Sequence, residues 1–248
     1  KNDGSGANAG HVRIYEYANG SWTQVGADID GEAAADRAGR SVFISSDGNR
    51  VAIGANLNDG NGSDAGHVRV YDLVNGSWTQ VGEDIDGEAA DDNSGVSVSM
   101  SSDGSRLAIG SSANDDPLAN AGHVRIYEYV NSSWTQMGRD IDGEAEDDRA
   151  GAVSMSSDGS RVAIGAPLND NGNGFDAGHV RIYDYVNGSW TQTGADIDGE
   201  TALDESGRSV FISSDGNRVA IGAHLNDGTG TDAGHVRVYG IPVVTFQP

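Results

Sequence analysis

The sequence predicts an all-β fold, a β-propeller of four-stranded antiparallel blades built from 56-residue repeats, with four to five blades visible in the chain. Three observations predict it. The phrase "AGHVRIYEY" at residues 9–17 returns four times in near copies, so that His11, His67, His123, His179 and His235 each fall 56 residues after the last. Apolar residues occur in short, often alternating runs, the pattern of strands rather than of amphipathic helices. The chain has 37 glycines, four prolines and no cysteine in 248 residues, which describes many strands joined by tight turns without disulfides. A fixed period of this size marks a solenoid, propeller or array, in which no unit buries its apolar face alone.

Other landmarks keep the step. Trp22, Trp78, Trp134 and Trp190 do so, as do the "DIDGE" segments beginning at Asp28, Asp84, Asp140 and Asp196. The "SSDG" turns around Asp47, Asp103, Asp158 and Asp215 follow it too, except that the third is one residue early and the longer loop after it restores the phase. The unbroken period argues for one repeat domain over residues 1–248: a half unit 1–40, units 41–96, 97–152 and 153–208, and a final unit 209–248.

Within the first full unit, "SVFIS" at residues 41–45 alternates and forms strand A. "SSDGNR" supplies Asp-Gly between two apolar runs, a hairpin signal because both residues tolerate positive φ. Strand B is "RVAIGA" at 50–55, whose small residues permit close sheet packing, and a glycine-rich loop spans 56–66. Strand C is "HVRVYDL" at 67–73, and Asn75-Gly76 turns the chain into strand D, "SWTQVG". Four-stranded meanders repeated about an axis limit exposed sheet edges by packing sheet on sheet. The half unit then supplies C and D alone, and the final unit supplies A, B and C before the divergent end "IPVVTFQP".

"SGVSVSMSSDGSRLAIG" followed by "AGHVRIYEY", and the third copy's "RVAIGAPLND" with "AGHVRIYDY", resemble FG-GAP repeats, the units of the integrin alpha-subunit propeller and of many secreted microbial proteins. In that family an FG pair opens strand A, a GAP triplet closes strand B and a G-x-V-x-V-Y phrase forms strand C. Here the FG position reads Ala38-Gly39, Ser94-Gly95, Ala150-Gly151 and Ser206-Gly207, and the GAP triplet is intact only at Gly165, Ala166 and Pro167. The resemblance implies an extracellular or cell-surface protein of adhesion. Its calcium loop between strands A and B is not carried over, because "SSDGNR" offers one carboxylate where Ca²⁺ takes about six to eight oxygens.

Charge bounds the partners. Fifteen basic residues against 38 acidic give a net charge of −23, so nucleic acid is repelled by the bulk field and is excluded as a partner. No run reaches the roughly 18 apolar residues that a membrane-spanning helix needs, so membrane insertion is not expected. Residue 1 falls inside a copy of the glycine-rich loop, so the chain is expected to begin at a processing boundary.

Three kinds of residue are candidates for a site. "DIDGEAAADRAG" brings Asp28, Asp30, Glu32 and Asp36 together, and the copies repeat it with Asp84, Asp86 and Glu88, with Asp140, Asp142 and Glu144, and with Asp196, Asp198 and Glu200. Hard oxygens on a glycine turn suit Ca²⁺, and the alternative is a solvated loop whose carboxylates cap turns or pair with arginines. A second cluster, Asp59, Asn61, Ser63 and Asp64, invites the same two readings. Trp22, Trp78, Trp134 and Trp190 offer one ring per unit, either to stack on sugar as a multivalent lectin or to pack against the neighbouring sheet, and packing is favoured.

The five repeated histidines read as hydrogen-bonding residues rather than as one shared zinc site, because successive copies lie too far apart to reach a single ion. The repeated arginines, such as Arg50 and Arg69, read as ion-pair partners of the acidic residues. Asn19, Asn61, Asn75, Asn131 and Asn187 head glycosylation triplets. Catalysis needs an asymmetric constellation, and nearly every polar residue here is replicated, so no enzyme is expected. The expected function is adhesion or recognition of a protein or glycan ligand. A structural segment that binds copies of itself in a filament or surface assembly is the alternative.

Overall fold

The computed structural model describes residues 5–242; residues 1–4 and 243–248 lie outside the described residues, and with them the start of the half unit and the end of the final unit. All regular structure among the described residues is β-strand. The first complete sheet runs A, Ser41–Ile44; B, Arg50–Ala55; C, His67–Val74; D, Ser77–Gln80, each strand antiparallel to the next. Two further sheets repeat that order, with their C strands at His123–Val130 and His179–Val186. The last sheet has three strands, Ser209–Ile212, Arg218–Ala223 and His235–Gly240, and the N-terminal half unit contributes two short antiparallel pairs, Tyr15–Ala18 with Ser21–Gln24 and His11–Val12 with Ile29–Asp30.

One expectation is revised. The "DIDGE" segment is not wholly a loop: Ile85–Asp86 forms a short strand that pairs with the start of strand C, setting His67 opposite Asp86 and Val68 opposite Ile85. Strand C is eight residues long, so D covers its second half and this short strand covers its first. The equivalent Ile29, Ile85 and Ile141 are buried, which is what holds the acidic residues beside them against the sheet.

The turns divide likewise. Asn75-Gly76 and Asn187-Gly188 carry positive φ at both residues, the geometry a two-residue hairpin needs. At the A–B turn only Gly48 does so; Ser45 N and O, Gly48 N and Arg50 O close a longer loop, and the Asp47 carboxylate binds the Ser45 hydroxyl and the Asn49 N–H. Those bonds hold the Asp47 carboxyl down at about 2.

No sheet has a core of its own. Ala52, Val68 and Val70 of one sheet pack with Val98, Met100, Leu107 and Ile109 of the next, and the same face-to-face arrangement recurs at each seam. Each such valine, leucine, isoleucine or methionine, fully buried, contributes about 1.5–3 kcal/mol, so the seam is where the stability of these sheets lies. Strand B sits between two seams: Val51 and Ile53 face the preceding sheet and Ala52 the following one.

The A strands lie side by side. Ser46 N–H donates to Ser102 O, Ser102 N–H to Ser157 O and Ser157 N–H to Ser214 O, one step per sheet. Ser99 Oγ accepts from Met155 N–H and Ser154 Oγ from Ile212 N–H. Successive A strands thus face a common axis, and the fold is propeller-like. Repeated glycines, Gly54, Gly110 and Gly165, set how close the sheets come. A Cβ on Gly54 or Gly110 would lie 2.1 or 1.9 Å from the carbonyl oxygen of Gly95 or Gly151 in the next sheet, so only hydrogen fits there.

Candidate functional site

The acidic segments do not form self-contained ligand loops. Each is divided across a seam. Asp84 and Asp86 face His67 of their own sheet, with Nδ1 3.6 and 4.0 Å from their carboxylate oxygens, while Glu32 reaches His67 (3.9 Å) and Arg69 (3.3 Å) from the preceding half unit. Glu88 meets Arg125, Glu144 meets Arg181 and Glu200 meets Arg237 in the same way. Asp140 accepts from Arg125, and Asp28, Asp140 and Asp196 each accept from the Gln four residues earlier. Asp142 and Asp198 stand opposite His123 and His179 in the ladder, as Asp30 stands opposite His11.

His67, His123 and His179 are almost wholly buried, and burial first, then the adjacent arginine, lowers their pKa. Both causes favour the neutral ring. Both nitrogens of His67 and Nδ1 of His123 have no hydrogen-bond partner among the described residues. Arg13 and Gln24 hold the Asp28 carboxyl at about 2, whereas burial and the neighbouring Asp84 raise Asp86.

A divalent cation would find one imidazole and two carboxylates at each seam. The ligand atoms of Glu32, His67 and Asp84 lie within 4.8 Å of one another, as do those of Glu88, His123 and Asp140 and of Glu144, His179 and Asp196. With a ring nitrogen in the set, this suits Zn²⁺ or Mn²⁺ better than the all-oxygen coordination of Ca²⁺. The arginines that pair with Glu32, Glu88 and Glu144 already neutralise part of that charge. The sequence could not bring these groups together, because Glu32 and His67 belong to different repeats.

Asp36 stands apart. It is 2% exposed and accepts from Ala33 N–H and Asn58 Nδ2, fastening the loop of one unit to that of the next; Asp92, Asp148 and Asp204 are buried in the same way. In the second cluster Asp59 caps its own loop at Asp64 N–H, and Asn61 donates to Gly87 O and Glu88 O of its own unit.

The tryptophans also work at seams. Trp78, Trp134 and Trp190 donate Nε1–H to Val25 O, Val81 O and Met137 O of the preceding unit, at 2.8, 3.0 and 2.8 Å. Trp134 lies against Tyr129, with ring centroids 5.1 Å apart, and Arg50 of the preceding sheet sits 4.9 Å over that tyrosine while binding Asp72 and Gly104 O. Trp22 has the same Tyr partner, Tyr17, yet it is 69% exposed.

A different region holds the polar residues that break the repeat. The loop entering each A strand reads Arg37, Asn93, Arg149 and Glu205 at one step and Arg40, Val96, Ala152 and Arg208 three residues later. Apart from Glu205, these residues line a cavity of about 420 Å³ at the axis, where four successive units converge. Arg37 and Arg149 hold left-handed φ of 59° and 54°, a backbone region that costs roughly 1–2 kcal/mol outside glycine. No sequence period could find this group, since it is defined by departure from the period.

No protein-family model matches the chain, and no curated protein is similar to it. Among solved structures it is similar to the Kuenenia stuttgartiensis hydrazine synthase, at 14% identity and a TM-score of 0.54 over 89% of this chain and 57% of that one. It is similar also to a chain in the complex of KlAtg21 with the coiled-coil of AgAtg16, at 14% identity and 0.54 over 82% of this chain and 54% of that one. At such identity the likeness is one of fold alone, and the chain spans a little over half the length of each.

Proposed function

We propose that this chain is a non-catalytic, extracellular or cell-surface recognition module of the FG-GAP type, and that recognition falls on its axial face. One observation carries the reading: repeated polar residues such as Glu32, Glu88 and Trp134 are occupied in joining sheet to sheet, whereas four of the five non-repeated arginines line one cavity. Residues fixed by the repeat hold the frame, and residues free of it are available for a ligand. The glycine contacts Gly54–Gly95 and Gly110–Gly151 support the FG-GAP assignment, since they give both halves of that motif one physical role. A screen of the chain against arrayed glycans and surface proteins tests the function. Binding lost on substituting Arg37 or Arg149 supports it, and binding lost on substituting Trp22 alone would move recognition to the tryptophan face.

A second reading, a structural segment of a larger assembly, is favoured by the outer face of the last sheet. Val236 and Val238 are 69% and 65% exposed there, and a sheet of the same kind covers their counterparts elsewhere. Light scattering that shows concentration-dependent association would support this reading, and a monomer throughout would oppose it.

A further inference from the structure

Strands B and C carry nine of the fourteen arginines at repeated positions, and of the remaining five, four line the axial cavity: Arg37, Arg40, Arg149 and Arg208. The chain has a net charge of −23, and most of its repeated arginines are engaged by a carboxylate. Among the described residues Arg37, Arg40 and Arg149 have no such partner, and Arg208 has Glu205 at 3.4 Å. A cluster of four guanidinium groups with one carboxylate partner among them, in so acidic a protein, is a local reversal of field, and the fork geometry of each matches carboxylate and phosphate.

A second observation comes from the wall of the same cavity. Asn56 is 6% exposed; its Nδ2 donates to Asn93 Oδ1 at 3.1 Å, and its own Oδ1 has no donor among the described residues. A buried amide oxygen without a donor is uncommon and calls for one. The arginines call for an anion, and Asn56 Oδ1 calls for a hydroxyl or N–H.

We propose that the axial cavity binds a small anion that also bears a hydroxyl group, with carboxylate- or phosphate-bearing sugars as the chemical class. The inference rests on the recognition reading above and gives it a ligand chemistry. The arginines take the charged group and Asn56 Oδ1 accepts from the hydroxyl. At about 420 Å³ the cavity is of the size that holds one such molecule.

Isothermal titration of the full chain at low ionic strength with glucuronate, glucose 6-phosphate, inorganic phosphate and glucose tests it. Either charged sugar is expected to bind, inorganic phosphate at least about tenfold more weakly, and glucose not at all. Arg37→Gln and Arg149→Gln, both at exposed positions, each weaken charged-sugar binding by about tenfold or more while the melting temperature holds. Arg218→Gln, outside the cavity, leaves binding unchanged. Selectivity between glucuronate and glucose 6-phosphate distinguishes carboxylate from phosphate. Inorganic phosphate binding as tightly as either sugar overturns the role of Asn56. Glucose binding as well as its charged relatives overturns the anion inference and leaves the recognition reading standing. No heat from any probe overturns the inference, and an arrayed-ligand screen that is also negative overturns the recognition reading with it.

Discussion

Val124 and Ile126, in strand C of the second complete sheet, are 0% exposed, while Val236 and Val238 at the same places in the last sheet are 69% and 65% exposed. The local sequence is nearly the same, "HVRIY" against "HVRVY", and both segments form a strand paired to strand B. What differs among the described residues is a following sheet, together with the D strand and the short strand that pair with strand C in the complete sheets. The comparison teaches that these residues specify a strand by their alternation but acquire their burial only from a neighbour, so secondary structure here is local and stability is shared.

Substitutions at matched positions sharpen the comparison. The largest effect is expected at the glycine contact: Gly110→Ala drives a methyl group into Gly151 O across an internal seam and should cost about 3 kcal/mol or more, read as a lower denaturation midpoint. Gly222→Ala in the last sheet meets only the movable Ser209 hydroxyl within 3 Å, and should cost far less. Next, Ile126→Ala opens a cavity in an internal seam and is expected to destabilise by about 2–5 kcal/mol, whereas Val238→Ala stays within about 0.5 kcal/mol. Equal losses at the two sites would break the comparison.

Trp134→Phe keeps most of the ring but removes the bond to Val81 O, for about 1 kcal/mol, and Trp22→Phe, whose indole nitrogen has no hydrogen-bond partner among the described residues, should change stability by less than about 0.5 kcal/mol. Acid gives a smaller, graded test. His67, His123 and His179 have pKa values below the usual 6.5, so the unfolded chain takes up protons before the folded one, and stability should fall as pH drops through about 6.5. At His67 the groups that face the ring are Glu32, Asp84, Asp86 and Asp36 and, opposing them, Arg69. Asp47, Asp103, Asp158 and Asp215 are held below the usual carboxylate range by their turns, so a second loss should follow below about pH 4. A midpoint flat between pH 7 and 5 would contradict the histidine assignment.

The repeat, the strands and the Asn-Gly turns were legible because they depend on near neighbours in the chain. The packing role of Trp78, Trp134 and Trp190 was legible in part, since strand D has few other large apolar residues to place at a seam. Ile85 was missed as a strand residue because acidic residues flank it, and its partner Val68 lies seventeen residues back, across the C–D hairpin. The joining of Glu32 to His67 and Arg69 was out of reach because it crosses from one unit to the next. Arg37, Arg40, Arg149 and Arg208 were hidden for the opposite reason: against a strong period, residues that depart from it look like noise until the fold gathers them.

Native-state amide hydrogen exchange, read strand by strand, tests most directly whether the seams rather than the sheets carry the stability. Protection should be greatest in the B strands Arg106–Ser111 and Arg161–Ala166, each enclosed between two seams, and should fall to near-local opening in strand C of the last sheet, His235–Gly240. Equal protection in His235–Gly240 and in His123–Val130 would mean that each sheet is stable by itself, and would contradict the account.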